Sequence, residues 1–91
     1  MPDYSTKKLS FIFKALGNER RMAIIKLLSK TPLPVVDISD KLRFSFKSVS
    51  KHLQKLEREG IVTKKQEGKF VIYRITDSFS GSGVCKQILR S

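Results

Sequence analysis

The side chains with the clearest chemistry in this sequence are cations gathered in one place. Residues 41–74 hold ten bases (Lys41, Arg43, Lys47, Lys51, Lys55, Arg58, Lys64, Lys65, Lys69 and Arg74) and three acids (Glu57, Glu59 and Glu67), a net charge of +7. The full chain of 91 residues carries 19 Lys plus Arg against 8 Asp plus Glu, so most of its +11 lies in about one third of its length. Solubility alone does not require such concentration. It favours an anionic partner, nucleic acid or a lipid surface. At 100° per residue, Lys47, Lys51, Gln54 and Arg58 fall on one side of a helix, with Lys55 and Ser48 at its edge. Lysine donates to guanine N7 and O6, and serine adapts to either donor or acceptor. Lys47, Ser48 and Lys51 are therefore candidates to touch base edges, and Ser50 and Gln54 to meet phosphate or base.

Other chemistry is poorly supplied. The single cysteine, Cys85, excludes an intramolecular disulfide. With the single histidine, His52, it falls short of the three or four soft ligands of a zinc site. No nucleophile–base pair, carboxylate dyad or phosphate-cradling glycine loop is legible, which makes an enzyme the weakest reading. The longest apolar stretch is four residues, as at Phe70-Val71-Ile72-Tyr73, far short of the roughly 18 that span a bilayer. A reduced, cytoplasmic chain without metal or cofactor is the expectation. His52 lies beside an apolar stripe and is expected to make a structural or phosphate contact. Cys85 is open to two roles, a buried small hydrophobe or a redox cross-link to its twin.

The elements that must position the cations follow from periodicity. Length and an apolar fraction of 40% fit one globular domain over residues 1–91. Leu9, Ile12, Phe13 and Leu16 share one helix face over Thr6–Leu16, and Phe11 adds apolar surface beyond what one core contact needs. Gly17 stands where a left-handed residue usually ends a helix. Asn18 reads as the N-cap of a second helix reaching about Ser29, and Pro32-Leu33-Pro34 breaks the chain. A short third helix, Val35 to Leu42, turns Val35, Ile38 and Leu42 inward. After Arg43-Phe44, Ser45 caps a fourth helix ending near Arg58, with Gly60 just beyond it and Val49, Leu53 and Leu56 on its apolar side. Residues 35–58 thus have a helix-turn-helix layout.

Two β-rich runs, Ile61–Gln66 and Lys69–Thr76, flank Glu67-Gly68 and predict a hairpin over residues 61–76, a "wing" with Val71, Tyr73 and Ile75 alternating inward. Residues 78–83 read as loose, and 84–90 as a short helix with Val84, Cys85, Ile88 and Leu89 apolar. The fold class expected is mainly α with a small β-hairpin. Lys65 and Lys69 are wing bases suited to phosphate or minor groove, with Arg74 at the hairpin edge. Lys41 and Arg43 flank the turn, where they can grip the DNA backbone. Arg20 and Arg21 fit phosphate contact or intramolecular pairing equally. Phe46 has two fates open: contact with a thymine methyl, or packing beneath the turn with Phe44.

Four segments taken together resemble the ArsR/SmtB family of bacterial and archaeal winged-helix repressors: F-K-A-L-G-N-E-R-R-M-A-I-I-K-L-L (Phe13–Leu28), V-V-D-I-S-D-K-L (Val35–Leu42), F-S-F-K-S-V-S-K-H-L-Q-K-L-E-R-E-G-I-V (Phe44–Val62) and Q-E-G-K-F-V-I-Y-R-I (Gln66–Ile75). They cover about two thirds of the chain in the family's order. The resemblance implies a homodimer on a two-fold symmetric operator, the helix at about 46–58 of each subunit entering a major groove. It implies that residues 6–16 and 84–90 form the dimer interface, through Tyr4, Leu9, Phe11, Ile12, Val84, Cys85, Ile88 and Leu89. The sequence departs from the metal-sensing members. Pro34-Val35-Val36-Asp37 stands in place of their Cys-x-Cys, and Val84–Ile88 lacks their Asp and His ligands. A rival reading, a winged-helix module that binds another protein, is disfavoured by the +7 segment.

Overall fold

In a computed structural model, which describes residues 5–90, six helices and three strands follow one another in the order α1 (Thr6–Leu16), α2 (Glu19–Leu28), β1 (Leu33–Pro34), α3 (Val35–Leu42), α4 (Phe46–Arg58), β2 (Val62–Glu67), β3 (Phe70–Ile75), α5 (Asp77–Ser80) and α6 (Gly83–Arg90). Hydroxyl and amide caps start several of them. The side chains of Ser5, Asn18, Ser45 and Thr76 accept backbone N–H groups of Lys8, Arg21, Ser48 and Phe79. Gly17 closes α1, but at φ −77° it is not left-handed. The chain turns into the Asn18 cap at once and has no need of the positive-φ geometry expected there.

α4 ends in a Schellman motif. Ile61 N–H bonds the Leu56 carbonyl at 2.9 Å and Gly60 N–H the Glu57 carbonyl at 3.0 Å, with Gly60 at φ +74°. Ile61 and Leu56 are both fully buried, supplying the apolar contact that accompanies this motif. Thr76 then ties the far end of the wing to the same point, its hydroxyl donating to the Gly60 carbonyl at 2.7 Å and its N–H to Ile61 at 3.0 Å. One corner therefore sets the direction of both α4 and the wing.

The sheet is antiparallel in the order β1-β3-β2, with Leu33 opposite Tyr73 and Val62 opposite Ile75. β1 was not legible in the sequence, because two residues with a proline carry no strand periodicity. Glu67 pairs with Phe70, so the hairpin turn is Gly68-Lys69, one residue later than the expected Glu67-Gly68. Gly68 at φ +63° takes the first central position, which suits a II′ turn.

One core joins all the helices. Its buried members include Ile12, Leu16, Ile24, Ile25, Leu28, Ile38, Val49, Leu53, Leu56, Tyr73, Phe79 and Cys85. Three expectations are corrected here. Phe13 is 55% exposed, since Ile12, Ala15 and Leu16 make the buried face of α1 and leave it on a flank. Val71 is exposed because the outer half of the wing stands clear of the core, which the base of the wing reaches through Val62, Tyr73 and Ile75. The segment thought loose contains α5, whose buried Phe79 caps the core.

Leu53, at the centre of the α4 stripe and fully buried, tests this packing. Leu53→Ala should cost about 2–5 kcal/mol of unfolding free energy in urea titrations. A loss below about 1 kcal/mol would contradict close packing at that point.

Candidate nucleic-acid interface

The turn between α3 and α4 is three residues long and stiffly held. Arg43 occupies the left-handed region at φ 58°, and its N–H and that of Phe44 both reach the Ser39 carbonyl, the latter at 3.2 Å. The Ser39 hydroxyl donates to the Phe44 carbonyl at 2.5 Å. These bonds fix the angle at which α4 leaves α3. Val49, Leu53 and Leu56 are wholly buried, and Lys47, Lys51, Gln54, Lys55 and Arg58 are all exposed on the other side. The helix is thus anchored along one stripe and free along a cationic one.

The two flanks of α4 differ. On the α2 side, Arg20 lies over the Phe44 ring with its guanidinium carbon 4.6 Å from the centroid, and its Nη1 is 3.5 Å from Ser48 Oγ. Arg21 donates through Nε to the Ala15 carbonyl, through Nη2 to the Lys14 carbonyl at 3.4 Å, and through Nη1 to His52 Nδ1 at 3.3 Å. A guanidinium only donates, so Nδ1 accepts and the neutral imidazole carries its proton on Nε2. Burial, then the charges of Arg21, Arg20 and Lys55, hold the His52 pKa below its ordinary value. His52 is consequently neutral at neutral pH. On the wing side, Lys64 Nζ of β2 lies 3.6 Å from Glu57 Oε1, and Ser50 is half-buried.

Lys41, Arg43, Lys65 and Lys69 are exposed; Lys41 and Arg43 flank the turn, Lys65 lies on β2, and Lys69 is in the hairpin turn with its Nζ 5.8 Å from the Phe70 centroid. Arg74 is half-buried and bonds Glu67 at 3.0 Å, so part of its charge is spent within the hairpin. Phe46 is 58% exposed. It stands at the first residue of α4, ahead of the point where the core closes, so of its two fates packing beneath the turn with Phe44 is corrected. Phe44 packs against the core alone. Phosphate contact and intramolecular pairing are equal expectations for Arg20 and Arg21 from the sequence. The structure pairs Arg21 internally and leaves Arg20 exposed but pre-ordered.

The expected partner-facing residues divide. Ile12, Cys85 and Ile88 are enclosed in the chain's own core, at 3%, 1% and 8% exposure, and of its two open roles Cys85 here takes that of a buried small hydrophobe. Each lies on the inward side of its short amphipathic helix. Leu9 and Val84 are half-buried, Phe11 and Leu89 exposed, and Tyr4 lies outside the described residues. No group of three or more His, Cys, Asp or Glu suited to a metal occurs among the described residues. Among them, too, no helix is long and apolar enough to cross a membrane.

A helix pair joined by a tight turn, with a hairpin clipped to the end of the second helix, defines the winged helix-turn-helix class. Solved structures agree. HlyU from Vibrio cholerae superposes with a TM-score of 0.82 at 29% identity, over 93% of this chain and 91% of that one. The homodimeric winged helix-turn-helix DNA-binding domain Mb0332 from Mycobacterium bovis, a possible ArsR-family regulator, does so with 0.77 at 28% identity, over 97% and 83%. The chain belongs to the arsR family of bacterial regulatory proteins, whose sequence model matches residues 18–64. It is 32% identical over 74 residues to the transcriptional activator HlyU of Vibrio cholerae, spanning 81% of this chain and 68% of that protein. It is 36% identical over 66 residues to the arsenical resistance operon repressor of Escherichia coli, spanning 71% of this chain and 56% of that one. It is a DNA-binding transcription regulator of this family.

Two outcomes test the local chemistry. Because the His52 pKa is lower folded than the 6.5 of free imidazole, the unfolded chain takes up the proton first as pH falls. Stability should drop across the window just below pH 6.5. In urea titrations between neutral pH and about pH 5.5, His52→Gln should lose less stability than the parent; parallel losses would contradict the assignment. Burial also pushes the Cys85 thiol pKa up. An aromatic disulfide reagent should therefore label Cys85 only as fast as the protein unfolds, and immediate labelling of the native chain would show the site to be open.

Proposed function

We propose that the protein acts as a homodimer on a two-fold symmetric operator and represses transcription from it, with α4 of each subunit in a major groove. The observation that supports this best is the division of α4 into a fully buried aliphatic stripe and an opposite face of Lys47, Lys51, Gln54, Lys55 and Arg58, all exposed. In this reading Lys47, Ser48 and Lys51 reach base edges, and Phe46 offers its exposed ring to a thymine methyl. Gln54 meets base or phosphate. Ser50 and His52 stand beside the backbone, the His52 Nε2 proton being a donor suited to a phosphate oxygen. Lys41, Arg43, Lys65, Lys69 and the remaining charge of Arg74 grip the backbone around the groove.

The homodimer of the Mycobacterium bovis domain supports the subunit arrangement. Leu9 and the exposed Phe13 on α1, with Val84 and Leu89 on α6, supply the apolar area for the partner. Two-fold symmetry would set the half-sites about 34 Å apart, one helical turn. The arsenical repressor among its relatives supports repression. The protein works in the cytoplasm by occupying DNA, and performs no catalysis.

Selection from a random duplex pool should return a palindrome, and recovery of unrelated sequences would oppose the proposal. With about four phosphate contacts per subunit, log K should fall against log[salt] with a slope of roughly −7. Lys51→Ala should cost roughly 1–3 kcal/mol on the selected site and little on random duplex. Equal weakening on both would make Lys51 a phosphate contact.

A further inference from the structure

Between α1 and the C-terminal half of α4 lies a recess of about 520 Å³, within the size range of small-molecule sites. Phe11 and Ala15 supply its apolar lining, and Lys14, Arg21, Lys55 and Arg58 set four cations around it against one carboxylate, Glu59. No close ion pair involves the side chains of Lys14, Lys55 and Arg58 among the described residues, so the one carboxylate, Glu59, leaves the recess with an excess of positive charge. Phe11 is 45% exposed. At 100° per residue it sits about 160° around α1 from Phe13, so the two rings leave the helix on opposite flanks. Phe13 and Leu9 serve the flank proposed for the partner, while Phe11 belongs to the α4 side.

Arg21 links this recess to the reading helix. Its guanidinium holds the Ala15 and Lys14 carbonyls at the end of α1 and His52 on α4. An adjoining recess of about 330 Å³ runs on past Lys51, His52 and Gln54 and shares Arg21, Lys55 and Arg58 with the first. His52 registers the positive field there, since Arg21, Arg20 and Lys55 add to burial in disfavouring its protonation. A phosphate group alone would fill little of the larger recess and make no use of Phe11 and Ala15. A ligand with a flat apolar body and one carboxylate uses both.

We propose that this recess binds a small aromatic carboxylate, its ring against Phe11 and Ala15 and its carboxylate among Lys14, Lys55 and Arg58. The site shares Lys55 and Arg58 with the cationic face of α4, and its test uses no DNA, so it can fail without the DNA-binding reading failing. The isotope-labelled full chain is titrated by NMR with 2-naphthoate, with the neutral 2-naphthylmethanol and with inorganic phosphate, all at one ionic strength. Naphthoate alone should give saturable shifts centred on Phe11, Ala15, Lys55 and Arg58. It should also raise the titration midpoint of the His52 ring, because a bound anion offsets the field of Arg21 and Lys55. Lys14→Glu and Arg58→Glu, both at exposed positions, should each weaken naphthoate about tenfold. Phe11→Ala should reduce it to the level of phosphate. The proposal is overturned if phosphate reproduces the naphthoate shifts, which would mean diffuse counter-ion attraction, or if naphthylmethanol binds equally well. Folded variants with parental affinity, or a stationary His52 midpoint in the parent chain, which requires no variant, would overturn it too.

Discussion

Three aliphatic side chains carry the arrangement on which the rest depends. Val49, Leu53 and Leu56 are fully buried along one stripe of α4. Five polar or charged side chains on the other side make no call on the core. Each buried aliphatic contributes about 1.5–3 kcal/mol on removal from water. An exposed lysine contributes almost nothing to stability, and several close together repel. The helix can therefore present a repulsive row of cations only because its opposite side is so firmly held. The three-residue turn secured by Ser39 and the Schellman motif at Gly60 convert that hold into a fixed direction at both ends.

Much of this was legible in the sequence, and for a physical reason. α4 obeys the 3.6-residue period over its whole length, so its buried and exposed sides follow from spacing alone. Its caps, Ser45 and Gly60, are residue types with one dominant use. The misreadings share an origin as well. Phe13 falls within the apolar arc of α1 by spacing, yet Ile12, Ala15 and Leu16 suffice to fill the core, and periodicity carries no information on how wide a face the neighbours can cover. The resemblance assigns Ile12, Cys85 and Ile88 to a partner, and the spacing of a short amphipathic helix does not say whether its stripe meets its own domain, as these do, or another. β1 and α5 are too short to show any period. They exist because β3 has a free edge and because Phe79 reaches the core.

Charge pairing was the least readable property, since it depends on contacts far apart in sequence. Arg20 and Arg21 are neighbours with the same side chain and different fates. One rests on Phe44 and reaches Ser48, 28 residues away; the other is divided between the end of α1 and His52, 31 residues away. The difference comes from the 100° between them. Arg21 points back across the junction of α1 and α2, where carbonyls at the close of α1 need donors. Arg20 points towards the start of α4. A lone histidine beside an apolar stripe likewise gives no sign that its neighbours are guanidinium groups, and those neighbours determine which nitrogen carries the proton.

The wing follows a different rule from the helices. Beyond Tyr73 its residues are largely exposed, so the outer hairpin is held by its ladder, the Gly68-Lys69 turn and the Arg74–Glu67 pair rather than by packing. Exposed pairs of this kind contribute little each. The base of the hairpin is clipped by Thr76 to Gly60, while its outer half stands exposed on its own ladder. That division suits the two tasks facing a DNA-binding surface. Base edges require a reading element whose side chains sit within a fraction of an ångström of fixed positions. The sugar-phosphate backbone varies with local sequence and tolerates a contact that adjusts. The buried stripe of α4 anchors Lys47 and Lys51, while Lys65 and Lys69 stand on the exposed outer wing.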